Sequence, residues 1–270
     1  MSDFADRFGG VARVLGAGAL DRLQAAHVCV VGLGGVGSWA VEALARSGVG
    51  HLTLVDLDDV CISNINRQLP ALSSTLGRAK AAVLAERAAD INPAVRVEAR
   101  EEFFTAATAE QLLAPRYDAV LDAIDSPSLK ALLIAACRQH SLSVVTVGGA
   151  GGRRDPTQIR VADLAFTTHD PLLAAVRGLL RKNHGFPCGR APFGVDCVYS
   201  TEPLIYPESS SPCAPDAPEA VGGSACERRF GALCFVTGAF GFAAAAQVTA
   251  KLAGLPGLAS PPRAAGRTGG

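Results

Sequence analysis

A doubly wound α/β fold built on a mostly parallel sheet is what this sequence predicts, and three features predict it. Residues 28–37, VCVVGLGGVG, carry an apolar β-rich run into a glycine cluster, and the helix-favouring SWAVEALAR follows at 38–46. Residues 51–59, HLTLVDLDD, alternate poorly because they are apolar almost throughout, as a strand covered on both faces would be. Through residue 147, strand-like runs then alternate with segments of helical period, the signature of parallel strands joined by crossover helices.

Taken in order, residues 1–24 read as an arm leading into a short helix. Strands follow at 27–31, 51–59, 95–99, 117–123 and 142–147, with helices at 38–47, 77–90, 108–114 and 129–140. Residues 60–74 are polar and interrupted by Pro70, hence a loop, and Asn92-Pro93 stops the helix before it. After the glycine run at 148–152 the character changes to a smaller α+β half, with strands near 157–162 and 197–206 and a helix near 171–182. The expected division is an arm and helix at 1–24, a Rossmann-like nucleotide part at 25–150 and a substrate or dimerisation part at 151–254. Residues 207–224 (PESSSPCAPDAPEAVGGS) read as a mobile loop, and 255–270 as a disordered Pro/Gly/Arg tail. No internal repeat is present.

Bulk composition excludes several classes. The 270 residues, 49% of them hydrophobic, suffice for a sizeable core. The 25 basic and 25 acidic side chains cancel, so no global charge points to nucleic acid, although a local patch remains open. The N-terminal MSDFADRFGG has no apolar h-region. Several of the 8 cysteines lie in apolar runs and none is spaced C-x-x-C, which points to reduced thiols, a cytoplasmic protein and no structural zinc. Residues 230–250 carry no charge over 21 positions, long enough to span a bilayer; their Ala, Gly and Thr content favours a buried core or interface helix over membrane association.

Chemistry concentrates at the strand ends. Gly32, Gly34 and Gly37 fit G-x-G-x-x-G, a tight turn whose backbone and helix N-terminus accept phosphate. Asp56 closes the second strand 19 residues beyond Gly37, where a carboxylate binds ribose hydroxyls. A nicotinamide enzyme would explain that much. Asn64, Asn66 and Arg67 in DDVCISNINRQ and Lys80 on the next helix are different, because hydride transfer has no use for cations at the phosphates. Attack on an α-phosphate does, since charge develops on the phosphoryl oxygens and on departing pyrophosphate. Asp125, in DAIDS, is well placed for the magnesium that ATP brings. Any one of these alone reads as a solvated surface charge; in this order, at strand ends, they read as an ATP site.

VVGLGGVGSWAVEALARSGVGHLTLVDLDDVCISNINRQ, followed by GRAK, INP and DAIDS, resembles the ubiquitin-activating-enzyme-like adenylyltransferases, which include activators of sulfur-carrier proteins. The resemblance implies ATP binding by Gly32, Gly34, Gly35, Gly37 and Asp56, phosphate contacts from Asn66, Arg67 and Lys80, and magnesium on Asp125. It makes Arg67, Lys80 and Asp125 the catalytic set. It also implies a homodimer in which an arm arginine, Arg7 or Arg13, enters the partner's site. RFGGVARVLG (7–16), VGGAGGRRDPTQIRVADLA (147–165), GVDCVYSTEPLIYP (194–207) and FGFAAA (240–245) are similar to the branch that closes threonylcarbamoyladenosine in tRNA into a cyclic form. That branch implies modified tRNA as substrate, with Arg153, Arg154, Arg177, Arg181, Lys182, His184, Arg190, Arg263 and Arg267 as candidate phosphate contacts. Adenylation of a sulfur carrier's C-terminal glycine is the alternative. Whether a sulfur-relay protein docks, whether a monovalent cation sits at 148–152, and whether Cys197 or Cys226 acts as a nucleophile stay open.

Overall fold

The computed structural model describes residues 3–206 and 230–257. Two helices, α1 (Asp3–Leu15) and α2 (Ala17–Ala25), lead into β1 (His27–Val31), α3 (Gly37–Arg46) and β2 (His51–Val55). Then come α4 (Lys80–Ile91), β3 (Arg96–Arg100), α5 (Ala109–Leu113), β4 (Ala119–Asp122), α6 (Pro127–Gln139) and β5 (Val144–Val147). The second half supplies β6 (Ile159–Asp163), α7 (Pro171–His184), β7 (Asp196–Ser200) and α8 (Cys234–Leu252). The expected loop at 207–224, Cys226 and the tail beyond residue 257 lie outside the described residues.

The strands form one sheet in the order β3-β2-β1-β4-β5-β7-β6, parallel except for β6, which runs antiparallel to β7 at one edge. The short apolar strands dictate two covered faces. In β1, Val28 and Val30 point into a core shared with Leu44, Leu84 and Phe240, while Cys29 and Val31 enter a second core with Leu133, Ile134 and Leu173. Helices α3, α4 and α8 thus cover one face, and α5, α6 and α7 the other. The second half adds its strands to the same sheet.

Several boundaries differ from the expected ones for physical reasons. The N-terminal segment is helical from residue 3, because Phe4 and Phe8 bury against Leu20; it breaks only at Gly16, whose φ is +93°. β2 ends at Val55, since Asp56 turns to cap the glycine loop, and β7 ends at Ser200. α4 begins three residues later than its sequence pattern, because residues 77–79 pair back onto 58–60.

The uncharged 230–250 run becomes α8. It is long and apolar enough to cross a membrane, and it lies along α3 and the sheet, with Val236, Phe240, Ala244 and Val248 fully buried. Small residues make that approach possible: a Cβ on Gly241 would stand 2.6 Å from Val36 O. All six cysteines among the described residues are free thiols.

At the amino edge of the sheet the His27 and His51 rings stack, centroids 3.4 Å apart and 11° from parallel. His27 Nε2 meets Thr53 Oγ1 at 2.8 Å, and His51 Nε2 lies 3.3 Å from Glu98 Oε1. Burial foremost, then the neighbouring His51, lowers the His27 pKa to about 4. The unfolded chain therefore takes up a proton near pH 6.5 that the fold refuses until about pH 4. The contribution is intact above pH 6.5 and fades as pH falls through that window. The thermal midpoint should drop more between pH 6.5 and 4 in the wild type than in His27→Gln; an NMR titration placing His27 near 6.5 would refute this.

Candidate active site

The carboxyl ends of β1, β2, β4 and β5 open onto one cleft of about 1060 Å³, where open parallel sheets bind ligands. At its centre is the turn after β1. Gly32 has φ +88°, and a Cβ there would stand 2.8 Å from Ala123 O. Gly34 and Gly35 continue the wall. Gly37 does not line the cleft: it starts α3, and a Cβ would fall 1.8 Å from Gly32 O, so its part is to let the helix descend onto the turn.

Asp56 carries the loop from the β2 side. Its Oδ2 accepts from Leu33 N at 2.6 Å and its Oδ1 from Asp58 N at 2.8 Å. Burial pushes its pKa up, opposed by Lys80 and the two amides. Lys80, the first residue of α4, is nearly buried, and its Nζ donates to Asp58 Oδ2 at 2.9 Å. Its backbone N–H is also tied to Asp58 O at 3.0 Å, and Val60 N to Arg78 O at 2.9 Å, which hangs the head of α4 over the cleft.

The 60–74 segment is well organised. A 3₁₀ turn at Ile62–Asn64 is closed by the Asn64 side chain, which accepts from Cys61 N at 3.0 Å. Arg67 Nη1 donates to Ser63 O at 2.6 Å and to Asn66 Oδ1 at 2.9 Å, and Asn66 Nδ2 donates to Ala232 O at 2.9 Å. Trp39 Nε1 and Thr237 Oγ1 both donate to Arg67 O, pinning this backbone between α3 and α8. The Gln68 side chain lies beside Gly34, and its Oε1 is buried with no donor among the described residues.

The two carboxylates of DAIDS part company. Asp125 is exposed and lines the cleft. Asp122 is fully buried: Lys130 Nζ donates to its Oδ2 at 2.9 Å, Thr146 Oγ1 to the same oxygen at 2.6 Å, and Ile124 N to Oδ1 at 3.1 Å. Asp122 and Lys130 fix the loop, while Asp125 faces the cleft.

Gly32, Gly34, Gly35, Asp56, Asn66, Arg67, Lys80 and Asp125 thus share one cleft. Several other candidates lie elsewhere. Cys197 is buried, and burial pushes its thiol well above the usual range, so it is a packed side chain. Arg153 is buried too, and Arg177 is tied to Thr167 Oγ1. Arg181, Lys182 and His184 end a 14-residue helix whose Leu172 touches the cleft, about 14 to 18 Å away at 1.5 Å per residue. There Arg138 and Arg181 stack on Phe186 and Phe193 at 3.9 and 5.1 Å. Arg7 pairs with Asp3 at 2.6 Å and reaches Ile91 O; Arg13 is exposed in the last turn of α1. The residues missed in sequence are Asp58, Gln68 and Lys130. Lys130 left a signal, a lysine in register with the apolar Ile134 and Cys137 of its helix.

A glycine turn under a carboxylate on the next strand end, with cations at the phosphate position, defines a nucleotide-binding α/β protein of the Rossmann class. The comparisons narrow it further. The chain belongs to the ThiF family, whose family model matches residues 9–263. It is 47% identical over 253 residues to the tRNA threonylcarbamoyladenosine dehydratase of Haemophilus influenzae, covering 93% of this chain and 95% of that one. Crystal structures of Escherichia coli tRNA N6-threonylcarbamoyladenosine dehydratase, TcdA, in complex with ATP and with AMP each superpose with a TM-score of 0.83 at 47% identity, over 93% of this chain and 96% of theirs.

Asp56→Ala removes two backbone tethers and the carboxylate at the end of β2. Charged hydrogen bonds of this kind carry roughly 1.5–3 kcal/mol, so the ATP Kd from calorimetry should rise about 10- to 100-fold. An unchanged Kd would remove Asp56 from the nucleotide site.

Proposed function

We propose that this protein uses ATP to dehydrate threonylcarbamoyladenosine in tRNA, closing the threonyl side chain into a ring. The carrying observation is the placement of Arg67, Lys80 and Asp125 around the Gly32–Gly35 turn in one cleft, joined to near full-length likeness to relatives named for that activity. Phosphoryl chemistry explains those charges; hydride transfer does not.

A threonine carboxylate is a poor electrophile, and its oxygen is a poor leaving group. In the first step a carboxylate oxygen attacks the α-phosphorus of ATP, the bond to the bridging oxygen breaks, and pyrophosphate leaves with its electrons. Arg67 and Lys80 offset the charge that grows there. In the second step the carbamoyl group of the same side chain attacks the activated carbonyl carbon, loses a proton and expels AMP. Proximity within one side chain supplies much of that step, so no enzyme nucleophile is needed.

Magnesium fits the donor set, since one carboxylate facing phosphate oxygens suits an ion held mainly by phosphate and water, and it would neutralise charge on the departing pyrophosphate. Asp125 is the residue that would hold it. In this reading residues 25–150 bind ATP and 151–254 receive the modified nucleoside and a second protein copy. Support for a homodimer is the outward side of α8, where Phe235 and Phe242 are 57% and 48% exposed and Phe242 packs edge-on to Trp39.

Incubation with ATP and threonylcarbamoyl-modified tRNA should give a nucleoside lighter by one water, together with AMP and pyrophosphate, read by mass spectrometry. AMP formation only on addition of a ubiquitin-like sulfur carrier would establish the alternative substrate instead. Lys80→Ala should cut kcat on the order of 100-fold while changing ATP Kd only a few-fold, because its charge acts mainly in the transition state. Asp125→Ala should abolish magnesium-dependent turnover with the thermal midpoint nearly unchanged; retained turnover would place the metal elsewhere.

A further inference from the structure

The glycine run after β5 is held from behind by a side chain that the ATP chemistry does not use. Arg153 is 3% exposed, and its guanidinium reaches three separate stretches of chain. Nε donates to Gly149 O at 2.9 Å, Nη1 to Ser200 O at 3.3 Å and to Glu202 O, and Nη2 to His169 O at 3.0 Å and Asp170 Oδ2 at 3.3 Å. Asp170 works from the opposite side. Its Oδ2 accepts from Gly149 N at 2.9 Å, and its Oδ1 caps α7 through Leu173 N at 3.0 Å. Gly148 leaves room for it, since a Cβ there would stand 2.3 Å from Asp170 Oδ2. Glu202 completes the frame by accepting from Asp155 N at 2.9 Å.

A buried guanidinium is costly to desolvate, so so complete a set of acceptors marks a conformation that is held. The held element is part of the cleft wall: Gly148, Gly149, Ala150 and Gly151 all line it. Strand order says which part. Along the sheet the cleft passes Asp56 at β2, Gly32 at β1, Asp125 at β4 and then Gly148 at β5. Ribose belongs at the β2 end and phosphates over the β1 turn. The wall beyond β4 is left for the group that attacks the α-phosphorus.

We propose that Arg153, with Asp170, is a positioning residue that sets the 148–151 backbone as the rigid wall of the acyl-substrate end of the cleft, without touching ATP. The inference rests on the adenylating function proposed above. Side chains are absent at three of these four positions, so the substrate's carboxylate can approach main chain directly, and only a fixed main chain can orient it for attack.

Arg153→Lys keeps the charge opposite Asp170 but loses the planar fork. Expected is a fall in kcat/KM for modified tRNA on the order of 10- to 100-fold, as for a sub-ångström misplacement of a reacting group. The ATP Kd, measured without tRNA, should stay within about two-fold. Unchanged kcat/KM would overturn the proposal, and so would an equal loss of ATP affinity, which marks a strut for the whole fold. Amide exchange in the wild-type protein decides the matter even if the variant does not fold. The Gly149 amide should exchange as slowly as those of β5; exchange at the rate of an open loop would also overturn it. A wild-type protein inactive on modified tRNA but slow to exchange at Gly149 would refute the function and leave the clamp standing.

Discussion

Everything at the carboxyl edge of this sheet depends on the absence of two methyl groups. Gly37 lets the first turn of α3 press onto the carbonyl of Gly32, and Gly32 in turn passes close to Ala123 O with a positive φ. Either approach is closed to any residue with a Cβ. Because they are made, the β1 turn and the loop after β4 form one continuous surface, backed by the head of α3. That surface is the floor of the cleft, and the helix N-terminus gives it a preference for anions.

Around that floor, two buried ion pairs and one part-buried carboxylate do what apolar packing cannot do for polar loops. Asp56 ties the β1 turn to the end of β2, Lys130 with Thr146 fixes Asp122 beneath Asp125, and Arg153 with Asp170 braces the glycine run after β5. The two ion pairs contribute little net stability, yet losing one partner strands a charge in a dry interior and costs roughly 3–5 kcal/mol. Their placement is the informative part. All three stand behind loops that wall the cleft.

Helix α8 links the core to the cleft. Its small residues allow close approach to α3, and Thr237 joins Trp39 in holding the carbonyl of Arg67. The same helix therefore fills the core, steadies a cation of the site and turns Phe235 and Phe242 outward.

Much was legible in the residues alone. The alternation of apolar runs and helical periods determined the parallel sheet, and glycine spacing with Asp56 determined where the cleft lies, because both patterns follow from local geometry that any context preserves. Arg67, Lys80 and Asp125 could be found because they follow strand ends, where an open parallel sheet places its chemistry. What the sequence by itself could not decide was which like residues take which role. Asp122 and Asp125 are three positions apart in one motif, and only the sheet shows that Lys130 holds the first while the second faces the cleft. Arg153 and Arg181 look alike as basic residues; one is buried as a brace and the other lies near the end of a helix, about 14 Å along it from the cleft. Those assignments depend on contacts between residues distant in sequence, which burial creates and no local spacing encodes.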